Sequence, residues 1–197
     1  HVCELFDDEG KKRLHEEYDR KKNTTEEQFQ FIINSNDKMV SAIKVYSNSQ
    51  DEVCILLSQK LSLPIATIAP RSPMVGTHIY LVGFPTGIWA KGLFPIYEGR
   101  LAGEINIATG PRSYVTSIPV FGGASGAPIL DDKNQIFSIL HGYYDSFNNL
   151  SLGAVLPAIN KATTTAGDMI VINGNNYKNQ LSKMNAVSIV NSWDEDE

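Results

Sequence analysis

Apolar and polar positions along this 197-residue chain alternate in short runs. Between residues 38 and 46, Val40, Ala42, Lys44 and Tyr46 fall on one side of an extended chain and Ser41, Ile43 and Val45 on the other, which predicts a strand. Residues 28–34 predict a strand before it, across an Asn-Asp turn, and the run Glu52-Val53-Cys54-Ile55-Leu56-Leu57 predicts a buried one after it. Pro64, Pro70 and Pro73 then punctuate a connection between two halves. The second half keeps the short-strand rhythm over 78–82, 92–107, 113–119, 127–130, 135–144 and 151–156, with Gly and Pro turn signals between nearly all of them. That spacing predicts a sandwich or barrel. Beyond it, residues 156–165 predict a short helix weakened at its end by Thr163, Thr164 and Thr165. Residues 169–171 predict a strand and 177–190 an amphipathic helix.

Composition agrees with many short elements joined by tight turns: 42% of residues are hydrophobic, with 15 Gly and 9 Pro. No run approaches the roughly 20 apolar residues of a membrane helix, so no membrane partner is expected. The net charge of -5 owes much to residues 194–197, which hold four of the 22 acids; the remaining 18 face 17 bases. A nearly neutral body carries no electrostatic footprint for nucleic acid. The stretch of about 7–27 is dense in charge, with Glu16, Glu17, Lys21 and Lys22 at pairing distance on a helix, and reads as an exposed insertion that includes His15. Cys3 and Cys54 each sit in an apolar run and are expected as buried reduced thiols, a bridge between them being the alternative. Neither has the neighbouring Cys or His that a zinc site needs, so no metal is expected. The chain opens on His rather than Met, which suggests that it starts within a longer protein, and its compartment is not read from it.

The segment Gly122-Gly123-Ala124-Ser125-Gly126-Ala127-Pro128 carries the candidate chemistry. A serine hydroxyl becomes a useful nucleophile near neutral pH only beside a base, with donors aimed at the oxyanion that develops. Glycines supply the second need, because they turn the backbone through φ values closed to other residues and present successive N–H groups to an anion. A plain glycine-rich hairpin turn is the alternative reading of the same string.

Its surroundings favour the chemistry. Residues 120–142 resemble the nucleophile region of the chymotrypsin-like serine peptidase superfamily: Gly-x-Ser-Gly-x-Pro, an apolar strand, the turn Asp131-Asp132-Lys133-Asn134, and a second strand ending near His141-Gly142. His1-Val2-Cys3 is similar to the end of that superfamily's Ala-x-His-Cys motif, Glu52 to Leu56 to its acid-led strand, and Val82 to Gly87 to its Gly-Tyr-Pro turn. The order His, acid, Ser is the superfamily's, with about 50 positions from His1 to the acid and about 73 from there to Ser125.

The resemblance implies an all-β fold of two six-stranded antiparallel barrels, with the first incomplete in this chain. Residues 1–68 would be the remainder of the N-terminal barrel, 74–160 the C-terminal barrel, and 161–197 an extension available to an assembly partner. It implies His1 as general base, Ser125 as nucleophile, and the backbone N–H groups of Gly123 and Ser125 as the oxyanion hole. Asp51 and Glu52 compete for the acid: Glu52 is in register, Asp51 is the usual residue type, and the strand period of two forbids both from facing one histidine without a bulge. His141, Val120 and Gly142 would bind substrate. A histidine near that place contacts an acidic or Gln side chain in some relatives, while a hydrogen-bonded strand histidine is the plain alternative. Val120 and Phe121 replace a Thr of those relatives, and Pro119 stands where trypsin-type enzymes carry an Asp, against a preference for Lys or Arg. His78 reads as structural. The expected function is cofactor-free endopeptidase action on polypeptides. A catalytically silent trypsin-like module, as in a viral or phage particle, and esterase chemistry are the competing readings.

Overall fold

The computed structural model describes residues 31–35, 38–48, 50–58, 65–83, 95–106, 110–119, 122–144 and 150–183. The charged stretch 7–27 and the end of the 177–190 prediction lie outside them. Among the described residues nine strands and one helix follow in order: β1 (Phe31–Ser35), β2 (Lys38–Asn48), β3 (Val53–Ser58), β4 (His78–Val82), β5 (Ile96–Asn106), β6 (Arg112–Pro119), β7 (Pro128–Leu130), β8 (Ile136–Tyr144), β9 (Leu150–Ala154) and the helix α1 (Leu156–Lys183).

Strands β4 to β9 close a six-stranded barrel in the order β4-β5-β6-β9-β8-β7, every pair antiparallel. Closure comes from β4 against β7, where Tyr80 faces Leu130 and Leu81 faces Ile129. Burial alternates along β4, where Ile79 and Leu81 are buried while His78, Tyr80 and Val82 are half-exposed. In β2 a bulge between Lys44 and Tyr46 breaks the alternation read from the sequence, and Ala42 and Val45 are both buried. Phe137 is fully buried and its ring lies 5.6 Å from that of Tyr114 on β6. Gly99 on β5 allows close approach of its neighbour, since a Cβ there would stand 2.5 Å from Ile118 Cγ1. Strands β1, β2 and β3 form a separate three-stranded antiparallel sheet.

The helix corrects the expectations for the C-terminal region. Instead of a short helix, a strand at 169–171 and a second helix, residues 156–183 form one helix of 28 residues. It makes the fold mostly β rather than all-β. The cause is a tertiary stripe that local propensity does not register: Leu156, Ile159, Ala162 and Ala166 are buried, and Met169, Ile170 and Tyr177 continue the same face half-buried. Thr163 is accommodated by donating its hydroxyl to the Ile159 carbonyl at 2.8 Å. Pro157 lies in the first turn, where its missing N–H costs nothing. Helix α1 packs on β2, β3 and β8, so Val53 of the sheet, the barrel interior and Leu156, Ile159 and Ala162 share one core.

Cys54 is a second correction. It is half-buried on β3 and disulfide-bonded rather than a reduced thiol; Cys3, the other cysteine of the chain, lies outside the described residues. An apolar run reads alike around a thiol and a disulfide, so the local sequence could not separate them.

Replacing Phe137 with Ala removes the largest wholly buried side chain from the barrel. The expected loss is about 3–5 kcal/mol, measured as the change in unfolding free energy by denaturant titration.

Candidate active site

Ser125 occupies a tight turn. The Ala127 N–H donates to the Ala124 carbonyl at 3.0 Å, which places Ser125 and Gly126 at the two central positions. Gly126 has φ of +90°, the left-handed value that a type II turn requires at its third residue, and Gly123 has φ of +94° just upstream. The glycines are therefore demanded by backbone shape. Buried Ala124 and Ala127 anchor the turn on either side, and Ser125 between them is half-buried.

The turn is fastened to β8. Gly126 N–H donates to the Leu140 carbonyl at 2.7 Å, and Leu140 N–H donates to the Ala127 carbonyl at 2.9 Å. At the far end of the β7–β8 hairpin, the Asp131 carboxylate accepts from the backbone N–H groups of Lys133 and Gln135, each at 2.9 Å. Asn134, with φ of +60°, supplies the left-handed position there. Both ends of the hairpin are thus fixed, and Ser125 and His141 are carried on it together.

His141 sits at a β-bulge, since Leu140 pairs with Gly153 and Gly142 with Leu152. Its Nε2 lies 2.9 Å from the Ser113 hydroxyl on β6, and that hydroxyl lies 3.0 Å from the Pro111 carbonyl. A hydroxyl has one proton. When Ser113 donates it to Pro111, it accepts from Nε2–H, and the neutral ring keeps a lone pair at Nδ1. Burial lowers the His141 pKa below its usual 6.5, opposed by the negative charge of Glu52. Ser113 escaped the sequence reading because nothing marks one buried serine in a strand when its partner stands 28 positions away.

The two candidate acids are separated by their surroundings. Asp51 Oδ2 accepts from Asn48 Nδ2 at 2.8 Å and pairs with Lys161 Nζ of α1 at 3.3 Å. Asn48 Oδ1 in turn accepts from the N–H groups of Gln50 and Asp51. Asp51 belongs to this surface turn. Glu52 follows in the left-handed region, with φ of +52°, and its charge reaches His141 on β8. A residue at that φ has left the strand alternation, so the period-of-two argument does not govern the pair.

Gly142 is half-buried beside these groups, and a Cβ on it would meet nothing within 4 Å. Among the described residues, β9 pairs with β8 as far as Tyr144, whereas β7 covers β8 only from Ile136 to Ile139. Among the described residues, the backbone edge near 142–144 has no strand neighbour on the β7 side. His78 pairs with Glu98 at 3.5 Å on the β4–β5 surface. His1 and Val120 lie outside the described residues. No group of His, Cys, Asp and Glu suited to a metal ion occurs among the described residues, and no described helix is long and apolar enough to cross a membrane.

Residues 3–139 match the family model of the trypsin-like peptidase domain. Among solved structures, the chain is similar to the active form of the Rv3671c protease from M. tuberculosis, at 19% identity and a TM-score of 0.61, covering 69% of this chain and 63% of that one. It is similar to the HtrA-type protease AlgW with a decapeptide, at 16% identity and a TM-score of 0.59, over 71% of this chain and 45% of that one. The serine endoprotease from Yersinia pestis gives 15% identity and a TM-score of 0.58, over 71% and 49%. No curated protein matches the chain.

The lowered pKa of His141 means that the folded state disfavours its protonation, so its contribution to stability is full above about pH 6.5 and is lost as pH falls through and below that value. Thermal midpoints between pH 7.5 and 5.5 are expected to fall in the wild type and to fall less in His141→Gln.

Proposed function

The chain belongs to the trypsin-like peptidase domain family, and from that premise we propose that it is a serine endopeptidase acting through Ser125. The observation that carries the reading is the Ala124–Ala127 turn fixed on β8, with Ser125 presented between two glycines of positive φ. The three-stranded sheet β1–β3 is the remainder of a first barrel on this reading, and the site lies between it and the closed barrel.

His1 takes the Ser125 proton as Oγ attacks the peptide carbonyl carbon, and the oxyanion is held by the N–H groups of Gly123 and Ser125. The Gly126 and Ala127 N–H groups are committed to Leu140 and Ala124 and are not the donors. Collapse of the tetrahedral species breaks the C–N bond, and the imidazolium gives its proton to the departing amine. Water then attacks the acyl-enzyme, again losing a proton to His1, and Ser125 is regenerated with release of the acid.

Glu52 is the acid that orients the imidazole. Its support is the contrast with Asp51, whose carboxylate is held by Asn48 and Lys161. The edge at Gly142 receives substrate backbone as an added strand, and His141 contacts the adjacent substrate side chain. A neutral His141 bound through Nε2 offers an acceptor at Nδ1, which suits an amide side chain. A carboxylate would need a proton at Nδ1, which takes either a second ring proton, opposed by burial, or a tautomer in which the Ser113 hydroxyl leaves the Pro111 carbonyl for Nε2.

Fluorophosphonate labelling tests the reading: Ser125 attacks phosphorus and fluoride leaves. The folded protein is expected to label, Ser125→Ala not at all, and an unlabelled wild type would leave the silent-module alternative. Glu52→Gln is expected to slow labelling about 10²–10⁴-fold, as loss of an orienting acid does, while Asp51→Asn stays within about ten-fold of the wild type. The reverse order would assign the acid to Asp51.

A further inference from the structure

The acid candidate stands at an awkward place. Glu52 has φ of +52°, a conformation that a long side chain rarely adopts and that persists only where the surroundings impose it. Four hydrogen bonds hold the turn on its N-terminal side. Asn48 closes the turn by accepting from the Gln50 and Asp51 N–H groups through Oδ1 and donating through Nδ2 to Asp51 Oδ2. The same Asp51 oxygen accepts from Lys161 Nζ, a residue 110 positions later in the chain. Lys161 is carried on the buried part of α1, between Ile159 and Ala162, which insert into the common core.

We propose that Lys161 is a positioning residue for catalysis: through Asp51 and Asn48 it anchors the turn that presents Glu52, making α1 part of the active-site support. The inference rests on the reading of Glu52 as the orienting acid. Helix α1 follows the region matched to the family model, which ends at residue 139. The salt bridge is half-open to solvent, with 63% of the Lys161 side chain and 29% of that of Asp51 exposed, so its effect is a modest one on geometry.

Labelling by an alkyl fluorophosphonate over a range of concentrations separates binding from chemistry. Lys161→Ala is expected to lower the limiting labelling rate about five-fold with the half-saturating probe concentration unchanged. Lys161→Arg is expected to restore it. Asp51→Asn should reproduce the loss, and the double variant should be no slower than either single one, because both changes cut the same link. Lys161→Ala labelling at the wild-type rate, or losses that multiply in the double variant, would overturn the inference while leaving the peptidase reading intact. Absence of labelling in the wild type itself would overturn both. Should Lys161→Ala fail to fold by circular dichroism, Lys161→Gln and Asp51→Asn carry the same comparison.

Discussion

Two backbone hydrogen bonds, Gly126 N–H to Leu140 and Leu140 N–H to Ala127, hold the turn at Ser125 against β8. Most of the site depends on this contact. It fixes where the serine sits relative to His141, which side of β8 carries an open backbone edge, and how the turn's donors are disposed. Its stability is borrowed from the hairpin below, where β7 is only three residues long but is paired on both sides, by β4 and by β8. A strand so short has little hold of its own, and its position is set by barrel closure and by the buried Ile129.

The barrel was legible in the sequence because its strands are short and set apart by Gly and Pro turns, and that signal is local. The turn at Ser125 was legible for a different reason: a positive φ at Gly126 restricts the residue type itself, so the backbone shape leaves its mark in one letter. Where the cause was remote, the sequence was mute. The 28-residue helix runs through three threonines and Gly167 because the core receives its stripe of Leu156, Ile159, Ala162 and Ala166. Asp51 and Glu52 could not be told apart from composition, since the distinguishing partners are Lys161 and β8, both far along the chain. The disulfide state of Cys54 was equally hidden, because the count of two cysteines permits either outcome.

Polar groups inside the barrel follow one rule. Ser113, Thr116, Ser138 and Ser151 are wholly buried, and each has a partner: His141, Ser151, the Ala154 carbonyl and Thr116 respectively. Small hydroxyls can enter a core when they are satisfied at once, since an orphaned hydroxyl there costs about 1–3 kcal/mol. For His141, burial favours the neutral ring, the negative charge of Glu52 opposes that preference, and the Ser113 hydroxyl orients the ring.

Closure of the barrel also has a meaning in time. The β4–β7 pairing joins residues some fifty positions apart in the chain, and β6 meets β9 across about thirty to forty. Contacts of such long range form late, after their loops have been drawn together, and topologies dominated by them assemble on a scale of roughly milliseconds to seconds. The turn at Ser125 is fastened to β8 within one hairpin, yet β7, which follows it, is held on its other side by this long-range closure, so the setting of the serine rests on a local and a distant pairing at once.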